Sequence, residues 1–269
     1  MRCIIAVLGF IGMGNMGSAM LSGAKETFGK ENIIFHRNSR EKMVEFSKKE
    51  EVDYCESNNE VVKKAKYIIL AVKPQMFEKV AKEIAQDITK ENVLISLAPG
   101  ITISQMADMF KTNRIVRSMP NTPAMVGEGM TGVCYNKEIF SGDEIDNITK
   151  IFKSIGKMKV VEEKLINSVV CASGSSPAYV FMFMEALADS AVKCGLPRKD
   201  AYEFVAQTVL GSAKLMLETG KHPGELKDMV CSPGGTTIEG LAALEESGFR
   251  GAIIKACDAN FEKNKKLKG

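Results

Sequence analysis

The sequence predicts an α/β domain built on a doubly wound parallel sheet, followed by a domain made of helices alone. Three observations predict it. The first part of the chain alternates short, continuously apolar runs with amphipathic segments, as βα units do when helices cover both faces of a sheet. A GxGxxG sequence, Gly12-Met13-Gly14-Asn15-Met16-Gly17, follows the first apolar run directly. After about Val161 the strand-like runs stop, and the remaining segments carry helical punctuation.

In chain order the expected strands are Ile4–Phe10, Asn32–His36, Tyr67–Val72, Asn92–Leu97, Ile115–Ser118 and Gly132–Tyr135. Helices are expected between them near Asn15–Thr27, Arg40–Lys49, Asn59–Lys64, Met76–Asp87 and Ile103–Phe110. Beyond Val161 they are expected near Glu162–Ala172, Pro177–Cys194, Arg198–Thr219, Pro223–Val230, Thr237–Glu246 and Gly251–Lys266. Gly195, Gly220 and Gly248 stand where glycines end helices, and Pro177 and Pro197 stand at first-turn positions, with Ser176 as a cap before Pro177. The boundary is set at residues 1–161 for a dinucleotide-binding domain and 162–269 for the helical one. The helix Pro177–Cys194 is apolar around nearly its whole circumference, with Val180, Phe181, Met182, Phe183 and Leu187 among its residues. Such a helix should be buried on all sides, and a domain of roughly 110 residues can hardly bury it alone. A homodimer is expected, with cover from the α/β domain of the same chain as the alternative.

Composition narrows the function classes. The 269 residues carry 36 Lys+Arg against 33 Asp+Glu, a net charge of +3, too small to attract nucleic acid. The basic cluster Lys263, Lys265, Lys266 and Lys268 reads as a solvated helix end. Seven cysteines, Cys3, Cys55, Cys134, Cys171, Cys194, Cys231 and Cys257, form no CxxC pair and read as small buried hydrophobes in a reducing compartment. With only His36 and His222, no His-rich metal site is expected. Arg2 followed by the apolar run from Cys3 to Ile11 imitates a signal peptide, but glycines at 9, 12, 14 and 17 would interrupt one. No later run reaches about 18 consecutive apolar residues. The expectation is a soluble, cytoplasmic protein with no membrane and no nucleic-acid partner.

The glycine motif fixes the first chemistry. Gly12 makes a tight turn, Gly14 lets backbone approach a pyrophosphate, and Gly17 permits close helix–strand packing. Asn15 and Met16 open the helix whose free N–H groups face the phosphates. A Rossmann-type domain for NAD places an acid about 20 residues further on. Here His36-Arg37-Asn38-Ser39-Arg40 stands at the end of the second strand, and its cations and amide suit a 2′-phosphate. NADPH is favoured, with NADH as the alternative; Arg37 and Arg40 as plain exposed charges is the other reading. Three further loops, Ala71-Val72-Lys73-Pro74-Gln75, Ser96-Leu97-Ala98-Pro99-Gly100 and Met119-Pro120-Asn121-Thr122-Pro123, end strands on the same edge and read as walls of one cleft. Ala98 is counted among its cofactor contacts, and Lys73 is either a contact or a solvated charge.

In the helical part, Ser232-Pro233-Gly234-Gly235-Thr236-Thr237-Ile238-Glu239 has the T-x-x-E spacing of a capping box. Gly234 and Gly235 also allow close approach of a ligand, and Thr236 and Thr237 add hydroxyls beside the N–H groups of a helix start, which together make a carboxylate receptor.

Taken together, Gly9-Phe10-Ile11-Gly12, Ala71-Val72-Lys73-Pro74, Arg117-Ser118-Met119-Pro120-Asn121-Thr122-Pro123-Ala124, Ser173-Gly174-Ser175-Ser176-Pro177-Ala178-Tyr179 and Asp228–Thr237 resemble pyrroline-5-carboxylate reductase over essentially the whole chain. The resemblance implies reduction of L-1-pyrroline-5-carboxylate to L-proline, the last step of proline biosynthesis, by hydride from a nicotinamide. It implies helical domains that interlock into a dimer, often assembled further into decamers. It places the substrate carboxylate on Gly234, Gly235, Thr236 and Thr237, with Glu163 facing the same pocket. It places Asn58 near the cofactor and Ala71, Val72, Lys73 and Pro74 along its path. A protonated imine is already electrophilic, so positioning matters more than a strong acid, and Thr237 is assigned a hydrogen bond to the ring nitrogen or the product amine. The chain departs from the family at Ser176, usually Gly, at Pro99, commonly Ala, and at Met229, where some relatives carry Asn. A positive φ at Ser176 would cost about 1 kcal/mol.

Two other readings compete. A 3-hydroxyacid dehydrogenase or other imine reductase shares the opening and the helical second domain, but Lys193 and Lys214 lack the asparagine setting of its catalytic lysine. A non-catalytic NADP(H)-binding regulator would be free to lose Thr236 and Thr237, which this chain keeps.

Overall fold

The computed structural model describes residues 6–266, so the expectations on Arg2, Cys3, Ile4, Ile5 and Lys268 lie outside it. Eight strands form one sheet: β1 (Ala6–Ile11), β2 (Ile33–His36), β3 (Asp53–Tyr54), β4 (Ala65–Leu70), β5 (Val93–Ser96), β6 (Ile115–Met119), β7 (Gly129–Cys134) and β8 (Gly156–Val160). Their order is β3-β2-β1-β4-β5-β6-β7-β8. Every pairing is parallel except β6 with β7. The chain reverses direction of growth between β1 and β4, the switch point where such sheets open a crevice at the carboxyl ends of their strands.

The helices between the strands are α1 (Asn15–Phe28), α2 (Arg40–Glu50), α3 (Asn58–Lys64), α4 (Phe77–Ile84), α5 (Ile103–Phe110) and α6 (Gly142–Lys153). Period-2 alternation divides the buried strand residues between two cores. Leu8, Phe10, Phe35, Ile69 and Ile95 face one side, while Ile11, Ile34, Ile68, Leu70 and Leu94 face the other. The expected strands and helices form, with ends displaced by a few residues. Sequence reading missed β3, β8 and α6. β3 is only a two-residue pairing onto β2. β8 is an edge strand whose Lys157 and Lys159 break any apolar run, a common guard on open edges. α6 had a legible signal, because Ser141 and Glu144 form a capping box.

By contacts the first compact unit runs to Ser175 and takes back Asn260 onward, and the second is Ser176–Ala259. This division differs from one at 161/162. The reason is that α7 (Ile166–Val169) and the π-turn Val170–Gly174 stay bonded within the first unit. Asn260 Nδ2 donates to Ser175 Oγ at 2.8 Å, and Asn264 Nδ2 donates to Asn167 Oδ1 at 3.1 Å.

The second unit consists of α8 (Ser176–Lys193), α9 (Arg198–Thr219), α10 (Pro223–Asp228), α11 (Thr236–Glu246) and most of α12 (Phe249–Lys265). Lys263 and Lys265 fall in the last turn of α12, as expected. Its own core is small, centred on Ala188, Ala201 and Val205. The all-round burial expected for α8 does not occur in the single chain: Phe181 is 62% exposed and Met182 74%. The segment Glu163–Lys193 is long and apolar enough to cross a membrane by composition. Ser176 has no positive φ and opens α8 one residue, Ser175, after the π-turn, so it carries no left-handed strain and is inside the helix, not its cap. Among the described cysteines only Cys55 and Cys134 are buried, and Cys194 is exposed, which corrects the expectation of general burial.

Candidate dinucleotide cleft and carboxylate loop

β1 ends at Ile11, and Gly12 turns the chain at φ +88°, its N–H donating to the His36 carbonyl at 3.2 Å. That bond ties the glycine turn to the end of β2. A Cβ on Gly12 would lie 2.6 Å from Val72 Cγ1, and one on Gly17 would lie 2.7 Å from the Gly12 carbonyl oxygen. Gly14, the N-cap of α1, faces open space and no side chain caps the helix. The first-turn N–H groups of α1 are therefore left for a ligand, as a pyrophosphate needs.

A cavity of about 690 Å³ opens in front of this turn. Gly12, Gly14, Arg37, Asn38, Asn58, Ala71, Val72 and Lys73 line it, bringing together most of the residues expected to hold the cofactor. Asn15, Met16, Gly17, Pro74 and Ala98 do not line it. Asn15 is exposed on α1, Met16 packs on the core, and Gly17 is buried behind the turn. Pro74 opens a short 3-10 turn. Ala98 is buried with its N–H donating to Ser96 Oγ at 3.2 Å.

The electrostatics of the cavity favour a polyanion. Arg37, Lys42, Lys73 and Lys79 line it, and among the described residues none of these cations has a carboxylate partner. The one lining acid, Glu83, accepts from Asn58 Nδ2 at 3.0 Å. Asn58 is only 6% exposed, and its Oδ1 has no partner, an orphaned acceptor beside a cavity that a hydroxyl-bearing ligand would satisfy. The open Gly14, the free helix start, the unpaired cations and this acceptor fit a dinucleotide with extra phosphate charge. Arg40, expected beside Arg37, instead reaches Glu56 at 3.5 Å and does not line the cavity. Lys42 and Lys79 were missed by sequence reasoning.

Glu163 is committed within the first unit. Its Oε1 accepts from the Ile103 N–H at 2.7 Å and from Arg117 Nη1 at 3.0 Å. It thereby holds the first N–H of α5, beside the Thr102–Gln105 capping box, and pairs with a buried arginine, while its side chain stays 36% exposed. Burial pushes the Cys134 thiol up to about 12, Glu163 adding to the shift and Arg117 opposing it, so that sulfur stays protonated.

In the second unit, Gly234 adopts φ +66° and the Gly235 N–H donates to the Ser232 carbonyl at 3.0 Å. Gly235 is the N-cap of α11 and has no side chain to offer. The expected capping box is absent, because Thr236 already lies inside the helix and Glu239 is one position too far along. The first N–H groups of α11 are left without a side-chain cap, beside the exposed hydroxyls of Thr236 and Thr237. Among the described residues no cluster of His, Cys, Asp and Glu could hold a metal ion.

A family model described as pyrroline-5-carboxylate reductase dimerisation matches residues 163–267, and one described as NADP oxidoreductase, coenzyme F420-dependent, matches residues 7–100. Pyrroline-5-carboxylate reductase from Escherichia coli (strain K12) is 48% identical over 263 residues, covering 97% of each chain. The chain belongs to the pyrroline-5-carboxylate reductase family. Solved structures of family members agree across its length. The reductase from Coxiella burnetii is 33% identical with a TM-score of 0.90, covering 98% of this chain and 99% of its own. The Plasmodium falciparum reductase, solved with NADP bound, is 33% identical with a TM-score of 0.86, covering 98% of each chain. The expected fold class, a Rossmann-type dinucleotide-binding domain followed by an all-helical dimerisation domain, agrees with these relatives and with the matched dimerisation family.

Proposed function

We propose that this reductase catalyses hydride transfer from NAD(P)H to L-1-pyrroline-5-carboxylate, giving L-proline. One observation carries the reading: 48% identity to the E. coli reductase over 97% of the chain, spanning both the glycine turn and the Gly234–Thr237 loop. The bound nicotinamide supplies the hydride. This chain's residues do the rest. The Gly12–Gly14 turn and the start of α1 hold the pyrophosphate, and Asn58 Oδ1 accepts from a hydroxyl of the cofactor. The charge balance of the cavity favours NADPH over NADH. The uncapped start of α11 receives the substrate carboxylate on its N–H groups, aided by the Thr236 hydroxyl. Thr237 Oγ accepts from the N–H of the protonated ring nitrogen and orients it, and its hydroxyl can donate to the amine lone pair that forms as hydride arrives. The imine enters protonated, and its positive charge disappears as hydride reaches carbon, so no strong protein acid is required.

The exposed apolar faces of α8 and α9 are covered by a second copy, forming a homodimer that assembles further into decamers. The same cover accounts for the apolar run at 163–193 without a membrane, in keeping with a cytoplasmic reductase.

The test is product analysis after incubation with pyrroline-5-carboxylate and NADPH. Proline should form in equal amount to the NADPH consumed, and Thr237→Ala should slow it roughly tenfold with unchanged NADPH affinity. NADPH consumption without proline would contradict the reading.

A further inference from the structure

We propose that Lys42, and not Arg40, is the cation that joins Arg37 in selecting the 2′-phosphate of the cofactor; this rests on the NADPH reading above. The two candidates are two residues apart on the first turn of α2 and point different ways. Arg40 extends outward to Glu56 at 3.5 Å, with both side chains largely exposed, and takes no part in the cavity. Lys42 lines the cavity together with Arg37, Asn38 and Ser39. Its direction has a local cause. Ser39 is the N-cap of α2, and its Oγ accepts from the Lys42 N–H at 3.4 Å. Helical side chains lean toward the N-terminus, so the Lys42 stem runs back over the cap and toward the end of β2.

Charge decides what the pair can bind. Among the described residues neither Arg37 nor Lys42 has a carboxylate partner, and the acid of that helical turn, Glu41, is exposed and does not line the cavity. Two unpaired cations at a helix N-terminus suit a phosphate dianion, which the Asn38 amide and Ser39 hydroxyl can also reach as donors. A bare ribose hydroxyl in that place would leave both cations uncompensated, which selects against NADH. Lys42 is therefore a specificity-determining residue, and its effect should depend on the phosphate alone.

The experiment measures affinity by calorimetry for adenosine 2′,5′-bisphosphate and for 5′-AMP, which carry no nicotinamide, on the full-length protein. Steady-state efficiency with NADPH and with NADH is measured alongside. Lys42→Ala should weaken the bisphosphate and lower NADPH efficiency roughly tenfold, leaving 5′-AMP and NADH within about twofold. Lys42→Arg should restore most of the loss, and Arg40→Ala should change neither ratio. An equal loss for 5′-AMP and the bisphosphate in Lys42→Ala would overturn the assignment, as would a phosphate-specific loss that follows Arg40→Ala instead. If the wild-type protein already fails to prefer the bisphosphate, the NADPH reading falls as well, and that outcome is distinct from a wild-type preference that Lys42→Ala leaves intact.

Discussion

At the residue scale, single atoms decide which expected roles survive. Gly12 and Gly17 were legible because their reason is local: a left-handed turn at φ +88° and an approach of 2.7 Å to backbone that a side chain would block. The uncapped Gly-Gly-Thr-Thr helix start was legible for the same reason, although the helix begins one residue too early for the capping box. Glu163 was not legible, because its partner Ile103 is 60 residues away in sequence and meets it only in the fold. The choice between Arg40 and Lys42 was hidden too, since it depends on which way each side chain leaves α2. Glu163 yields a clear test. Removing it as Glu163→Ala takes the acceptor from the Ile103 N–H, leaving the Thr102–Gln105 cap of α5 in place, and leaves the buried Arg117 without its carboxylate partner. Unfolding free energy should fall by roughly 1–3 kcal/mol, the pair being partly exposed on the glutamate side. A raised KM for the imine with unchanged denaturant unfolding would contradict that stabilising role and favour Glu163 as a substrate contact.

At the element scale, the Rossmann half was readable because buried parallel strands are continuously apolar and their helices are amphipathic. Elements that depend on pairing at an edge, such as β3 and β8, carry no such pattern. α6 is anchored by a polar cluster that periodicity cannot see. Glu144 receives Arg114 Nη2 at 2.6 Å, Lys66 Nζ at 2.9 Å and the Ser141 N–H at 3.1 Å. Burial pushes its carboxyl up, but the hydrogen bonds from Lys66, Arg114 and the Ser141 N–H outweigh that and hold it at about 2, below the ordinary 4.5. A carboxyl depressed in the folded state stabilises above its unfolded pKa, and that stability is lost as pH falls through the folded value. Stability from Glu144 should therefore be complete above about pH 4.5 and drain between there and about pH 2. Unfolding monitored by circular dichroism should show Glu144→Gln less stable at neutral pH by roughly 2 kcal/mol, the gap closing toward pH 2. A constant gap across that range would assign the stabilisation to other groups.

At the scale of the whole molecule, the helices of the second unit were legible to within a residue or two, but what covers them was not. Composition said that α8 must be buried; the single chain leaves Phe181 and Met182 in the open, and the proposed second copy would cover them. Met182→Glu should convert the dimer to a monomer in light scattering, with far-ultraviolet circular dichroism retained; an unchanged dimer would move the interface off α8. The account rests finally on the reaction. The most direct test follows loss of the reduced-nicotinamide absorbance with L-1-pyrroline-5-carboxylate, using NADPH and NADH in parallel. Turnover that prefers NADPH is the predicted result. Cofactor binding by the folded protein with no imine-dependent turnover from either nicotinamide would contradict it.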